Sequence, residues 1–243
     1  MKTQENFTAA QTFGLLLVGP PKSGKTNVAM CFPDPYVLDC DMNLQSAVQR
    51  HPGKKFFYDC PDLDEAGKEL PREKKWLRLV ELTKANMLSP LTKANVVDSL
   101  SKVSEYLCDY LVDKGATGKD LSIGGEKMMT LQLWYPYKVL FTRYIAMLRS
   151  CGKPLVMCAH EKIDKDEVSG TLMYRPNVSG GLVDNIGMYF TDVWRCEVDK
   201  IGNEYKYYVR TMPIPRVQSL GNSLGLPETF VMTPDELKKH LKI

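Results

Sequence analysis

The chain has 243 residues, 44% hydrophobic and 25% charged, with a formal net charge of +3. That length suffices for one large α/β domain with a real core, and the composition is that of an ordinary globular protein, not a fibrous or disordered one. No charged start followed by a long apolar stretch marks a signal peptide or a membrane span, and the small positive charge leans only weakly toward anionic partners.

In chain order, the first strand expected is Phe13–Val18, an unbroken apolar run of the kind a strand buried on both faces requires. It leads into Gly19-Pro20-Pro21-Lys22-Ser23-Gly24-Lys25-Thr26, which fits the phosphate-binding loop pattern G-x-x-x-x-G-K-[ST] at every position. Its glycines let backbone N–H groups face a triphosphate, Lys25 reaches for the β- and γ-phosphates, and the Thr26 hydroxyl is placed for Mg²⁺. Asn27 closes this nucleotide-contacting set at the start of a helix expected over Lys25–Cys31, whose N-terminus favours anions. Further strands are expected at Tyr36–Asp39, Lys55–Tyr58, Ala94–Asp98 and Leu155–Ala159. Helices are expected at Leu44–Gln49, Arg72–Leu88, Leu100–Asp113 and Leu131–Arg149. The alternation predicts an α/β fold with a mostly parallel sheet flanked by helices.

Trp134, Tyr135, Tyr137, Phe141 and Tyr144 in the last of these helices read as core or subunit packing, not as a ligand box. From Gly187 the pattern changes. Met188–Val198 and Glu204–Arg210 alternate around turn residues 200–203, which predicts an antiparallel hairpin at one sheet edge. Thr233-Pro234-Asp235-Glu236 is a helix start, with Thr233 as cap and Pro234 at the first helical position, for a C-terminal helix to about Lys242. Lys114–Met129 and Glu161–Gly181 read as loops, and loops of that length in a compact domain are usually functional or disordered. Residues 1–12 are taken as an N-terminal arm and 13–243 as a single domain. The seven cysteines are scattered with no C-x-x-C pair, and there are only three histidines. Buried thiols in a reducing cytoplasm are expected, with no disulfides, zinc site or transition-metal centre.

Three strand ends carry candidate chemistry. Ala94-Asn95-Val96-Val97-Asp98 is an apolar strand ending in a carboxylate, the Walker B arrangement that holds the Mg²⁺ shell, with Asp39 as its competitor. Tyr36-Val37-Leu38-Asp39-Cys40-Asp41 brings two acids to the carboxyl end of the next strand, where open α/β sheets bind ligands. There they could orient and deprotonate a water, or merely cap the following helix. Pro154–Ala159 ends at His160, placed to touch a γ-phosphate and report its loss to the loop that follows.

In this order the parts resemble the ATPase core of RecA-like recombinases, and in particular the small phage-encoded RecA-like ATPases of single-strand annealing and recombination. The likeness covers roughly residues 13 to 216. It implies ATP and Mg²⁺ as cofactors, single-stranded DNA as partner, a ring or filament of identical subunits with ATP between them, and a single-strand-binding protein as a further partner. Asp41 falls where the family places a catalytic glutamate, one methylene longer, and would be the general base. Asp98, followed by Ser99, falls on the Walker B aspartate, and His160 falls near the γ-phosphate-sensing glutamine. Segments 114–129 and 161–181 are similar to the two DNA-binding loops, with Lys119, Lys127, Lys162, Lys165, Tyr174 and Arg175 as contacts, although acids are interleaved among them. Arg210, with Arg216 behind it, is similar to the cation supplied to a neighbour's ATP. Phe7-Thr8-Ala9-Ala10 matches the F-x-x-A oligomerisation peptide of such recombinases. The alternatives are an AAA-type helicase loader, a small-molecule P-loop kinase, and a nucleotide-gated adaptor for a replication protein. Asp98-Ser99 in place of an Asp-Glu pair, and a tail with no helical lid, count against the loader.

Overall fold

Leu15 and Leu17 turn to one side of strand β1 (Gly14–Gly19) and Leu16 and Val18 to the other, and both pairs are buried. A strand covered on both faces must sit in the middle of a sheet with helices on each side, because its alternating side chains need two apolar layers. The computed structural model describes residues 13–115, 122–123, 126–165, 170–201, 204–214, 216–217 and 220–241.

The other strands are β2 (Pro35–Asp39), β3 (Phe57–Asp59), β4 (Ala94–Asp98), β5 (Ser122–Ile123), β6 (Glu126–Lys127), β7 (Leu155–Lys165), β8 (Leu172–Pro176), β9 (Asp192–Ile201), β10 (Glu204–Arg210) and β11 (Thr229–Phe230). Among the described residues, eight of them join β1 in one nine-stranded sheet in the order β11-β10-β9-β1-β7-β4-β2-β3, with β8 paired to β7 off this path. β3, β2, β4, β7, β1 and β9 run parallel, while β10 and β11 continue the edge antiparallel. This is an α/β P-loop NTPase fold with a C-terminal antiparallel hairpin. β5 and β6 form a separate two-stranded ribbon.

The helices are α1 (Lys25–Ala29), α2 (Gln45–Arg50), α3 (Arg72–Asn86), α4 (Leu100–Lys114), α5 (Leu131–Arg149) and α6 (Pro234–Leu241). Trp76, Leu79, Val103, Leu107, Phe141, Ile145 and Leu148 of α3, α4 and α5 fill the layer against Leu16, Val18, Leu38 and Val97. Val28, Ala47 and Leu237 of α1, α2 and α6 fill the opposite layer with Leu15, Leu17, Val37, Val96 and Trp194. Ser99 caps α4 by accepting from the Lys102 N–H, and Thr233 accepts from the Glu236 N–H before α6. Of the aromatic stripe in α5, Tyr137, Phe141 and Tyr144 are buried, while Tyr135 is 77% exposed.

The largest departure from the sequence reading lies in Glu161–Gly181. β7 does not end at Ala159. It continues to Lys165 and pairs antiparallel with β8, so much of the expected loop is a β-hairpin. The expected strand Met188–Val198 begins only at Asp192, after a 3-10 turn at Ile186–Tyr189. Within Lys114–Met129, β5 and β6 replace part of the expected loop. Phe7-Thr8-Ala9-Ala10 and Lys119 lie outside the described residues. Among the described residues no helix is long and apolar enough to cross a membrane.

Candidate nucleotide site

The loop after β1 owes its shape to two glycines. A Cβ at Gly19 would stand 2.5 Å from the Cys196 carbonyl oxygen and 2.7 Å from the Ser23 hydroxyl. Gly24 has φ 90°, a left-handed value that side chains disfavour. The loop therefore passes tightly over β9 and turns into α1. Lys25, 5% exposed, folds back so that its ammonium donates to the Gly19 carbonyl at 3.0 Å and the Pro20 carbonyl at 2.8 Å.

Three strand ends meet this loop. The Thr26 hydroxyl donates to Asp98 Oδ2 at 2.6 Å. Burial pushes the Asp98 carboxyl up, against the opposing bond from Thr26. Asp41 Oδ2 lies 2.8 Å from His160 Nε2, and the Ser99 hydroxyl donates to Asp41 Oδ1 at 3.1 Å. Burial pushes Asp41 up as well, but the bond and charge of His160 and the bond from Ser99 outweigh it and hold the carboxyl below its ordinary value. Asp39 instead accepts from the Asn43 N–H at 3.2 Å, and burial, with the charges of Asp98 and Asp41 beside it, pushes it up to about 6. Asp98, not its competitor Asp39, is therefore the carboxylate that Thr26 meets. The His160 backbone N–H donates to the Ser101 hydroxyl at 3.0 Å, while its ring Nδ1 is buried with no partner among the described residues.

Together Lys22, Gly24, Lys25, Thr26, Asp41, Asp98 and His160 line a cavity of about 290 Å³, completed by Asn27, Asn43, Ser46, Arg50 and Tyr207. Residues and ligand chemistry agree here. Ser23 Oγ and Asn27 Oδ1 are buried polar atoms at the loop without partners among the described residues, and the carbonyls that hold Lys25 are exchangeable for phosphate oxygens. One hydroxyl and one carboxylate suit Mg²⁺, which keeps waters and substrate phosphates in its shell. No group of three or more His, Cys, Asp or Glu among the described residues could hold a metal unaided.

Sequence reasoning missed the wall beside this cavity. Arg50 at the end of α2 lies over the Tyr207 ring, 4.5 Å from its centroid. A second cleft of about 210 Å³ adjoins there, sharing Gly24, Asn27, Arg50 and Tyr207 and floored by Val28, Cys31 and Met232. His51 lines it too, its Nε2 3.1 Å from the Asn27 carbonyl. Tyr207 stood inside the predicted hairpin strand, but nothing in the sequence links it to Arg50.

The remaining candidates are placed apart from the cavity. Arg210 does not project freely: its guanidinium donates to Glu197 at 3.0 Å and to Glu228 at 2.9 Å in the same chain. Arg216 is exposed. Lys162, Lys165, Tyr174 and Arg175 lie on the β7–β8 hairpin. There Lys162 pairs with Asp164 at 3.2 Å, Arg175 with Asp184 at 2.5 Å, and the Arg195 guanidinium covers one face of Tyr174 at 4.7 Å. Lys127 is in β6.

A family model described as an AAA domain matches residues 13–219. No curated protein matches the chain. Among solved structures, the flagellar accessory protein FlaH from Methanocaldococcus jannaschii is similar at 12% identity, over 91% of this chain and 85% of that one, with a TM-score of 0.45. A KaiC-like protein from the hyperthermophilic archaeon Pyrococcus horikoshii is similar at 13% identity, over 85% and 80%, with a TM-score of 0.42.

Proposed function

The chain belongs to the AAA domain family of nucleotide-binding ATPases, and on that premise we propose that it hydrolyses ATP to control single-stranded DNA in recombination or strand annealing. The observation that carries the catalytic part is the meeting of Lys25, Thr26, Asp98, Asp41 and His160 around one cavity. Lys25 exchanges its loop carbonyls for the β- and γ-phosphates. Thr26 and Asp98 would hold Mg²⁺, which supplies charge neutralisation for the phosphates when bound. Asp41, aimed by His160 and Ser99, orients the attacking water and takes its proton. The nucleoside takes the adjoining cleft, where Arg50 and Tyr207 offer a cation and an aromatic face to the base.

The DNA part is supported by position. The β7–β8 hairpin grows out of the strand that ends the site at His160, and it carries Lys162, Lys165, Tyr174 and Arg175. Lys119 and Lys127 belong to the other candidate DNA-binding segment, 114–129, with Lys127 in β6. ATP held between identical subunits, with Arg210 or Arg216 reaching a neighbour, belongs to the same proposal. For Arg210 it requires release from Glu197 and Glu228. A single-strand-binding protein is the further partner proposed.

One observation favours a second reading. A carboxyl held below its ordinary range is a weak base, which suits a slow, nucleotide-gated adaptor or helicase loader acting on a replication protein. ATP hydrolysis measured with and without single-stranded DNA, in the wild type and in Lys25→Ala and Asp41→Asn, tests both. Stimulation by DNA that each substitution abolishes supports the first reading. Hydrolysis indifferent to DNA, or phosphate transfer to a small acceptor, overturns it.

A further inference from the structure

The buried polar groups that this scheme leaves unused gather on the far side of Asp41. Tyr106 of α4 is 4% exposed and Asp62 6% exposed. The single Tyr106 hydroxyl proton is shared between two acceptors, the Cys40 carbonyl at 3.0 Å and the closer Asp62 carboxylate. Asp62 in turn pairs with Lys75 of α3, whose ammonium reaches Glu69 at 3.0 Å. The Leu70 N–H donates to the Asp62 carbonyl at 2.7 Å, so the 60–70 segment is fixed to the same cluster.

The place where this cluster touches the site is specific. β2 ends at Asp39, and by Met42 the backbone has turned to φ 49°. The peptide that joins Cys40 to Asp41 therefore lies beyond the last strand pairing of β2. It is held at its two ends instead: its N–H donates to the Asp98 carbonyl at 3.2 Å, and its C=O accepts from Tyr106. A peptide plane fixed on both sides cannot rotate, and the Asp41 side chain leaves from it toward His160 and Ser99.

We propose that Tyr106, itself held by Asp62 and Lys75, is the positioning residue for Asp41. This rests on the reading of Asp41 as the group that activates water. Tyr106 touches neither nucleotide nor water. It sets where the carboxylate stands, and a displacement of about 1 Å in such a group costs up to about 100-fold in rate.

Tyr106→Phe keeps the ring in the core and removes only the hydroxyl; Asp62→Asn loosens the same hydroxyl from the other side. Expected in both is a fall in kcat of about 10-fold or more, with unchanged affinity for a non-hydrolysable ATP analogue. In the nucleotide-free protein the ring-proton NMR signals of His160 move toward those seen in Asp41→Asn. In the Asp41→Asn background, Tyr106→Phe adds no further loss. Wild-type kcat in Tyr106→Phe, unmoved His160 signals, or a full additional loss on top of Asp41→Asn overturns the inference. A purely structural role would weaken nucleotide binding and kcat together. If Asp41→Asn itself hydrolyses ATP at the wild-type rate, the reading of Asp41 falls. If Asp41→Asn is inactive while Tyr106→Phe is unaffected, only the role of Tyr106 falls.

Discussion

Asp41 and His160 stand 2.8 Å apart although their strands are not neighbours, because β4 runs between β2 and β7. The bond therefore spans the end of the strand that carries Asp98. His160 is the largest of the influences that hold the Asp41 carboxyl down against burial. His160→Ala leaves burial to push that carboxyl up against only the Ser99 bond and the Lys102 charge. The acid limb of kcat/KM for ATP hydrolysis is then expected at higher pH than in the wild type, read from a pH–rate profile. An acid limb that stays in place removes Asp41 from the role of base.

Asp39 behaves in the opposite sense. Its folded value of about 6 lies above the ordinary 3.8. The folded state then binds the proton more tightly than the unfolded chain, so the ionised carboxylate destabilises the nucleotide-free protein. The cost is full above pH 6 and fades as pH falls toward 3.8. Asp39→Asn keeps an oxygen for the Asn43 N–H and removes the charge. It is expected to raise the thermal midpoint at pH 7.5 by about 4 °C or more, with a smaller gain at pH 5. Equal gains at both pH values would trace the effect to something other than ionisation.

The cleft proposed for the nucleoside yields a comparison between two ligands. Tyr207→Ala removes the aromatic face and its contact with Arg50, worth about 1–2 kcal/mol. ATP analogue binding by calorimetry should weaken about 10-fold, while inorganic triphosphate, which has no base, should bind as before. Equal weakening of both would place Tyr207 in the support of the phosphate loop, since its ring lies 3.4 Å from where a Gly24 Cβ would stand.

The return from the β7–β8 hairpin is fixed by one glycine. Gly180 has φ 65°, and a Cβ there would lie 2.8 Å from the Trp134 ring. Trp134 packs edge-on to Tyr137, whose hydroxyl lies 2.7 Å from Ser104. Gly180→Ala combines backbone strain with overpacking and is expected to cost about 2–4 kcal/mol of unfolding free energy in urea titrations. A variant with unchanged midpoint would mean that the turn is free to move off α5.

What the sequence could and could not tell follows from how each element is covered. β1, β2, β4 and the first half of β7 are buried on both sides and so read as short apolar runs. The phosphate loop read directly because its glycines answer to backbone geometry. The second half of β7, Glu161-Lys162-Ile163-Asp164-Lys165, has one apolar residue, the exposed Ile163, among four charged ones, so charge disguised a strand as a loop. Arg50 and Tyr207 meet only because β10 returns across α1, and Asp62 meets Tyr106 from 44 residues away. Contacts of that kind have no local signature, since period and turn chemistry report only neighbours along the chain.

β7 also has a mechanical meaning. Its first half is clamped between β1 and β4, and its second half runs beyond both with β8 as its strand partner among the described residues. His160 sits at the change-over, paired with Gly19 of the phosphate loop. From there to Lys165 the strand extends about 17 Å, with no break between the two halves. In the proposed scheme this strand would act as a lever with its fulcrum at the nucleotide: a tilt of about 5° at His160 would carry Lys165 about 1.5 Å.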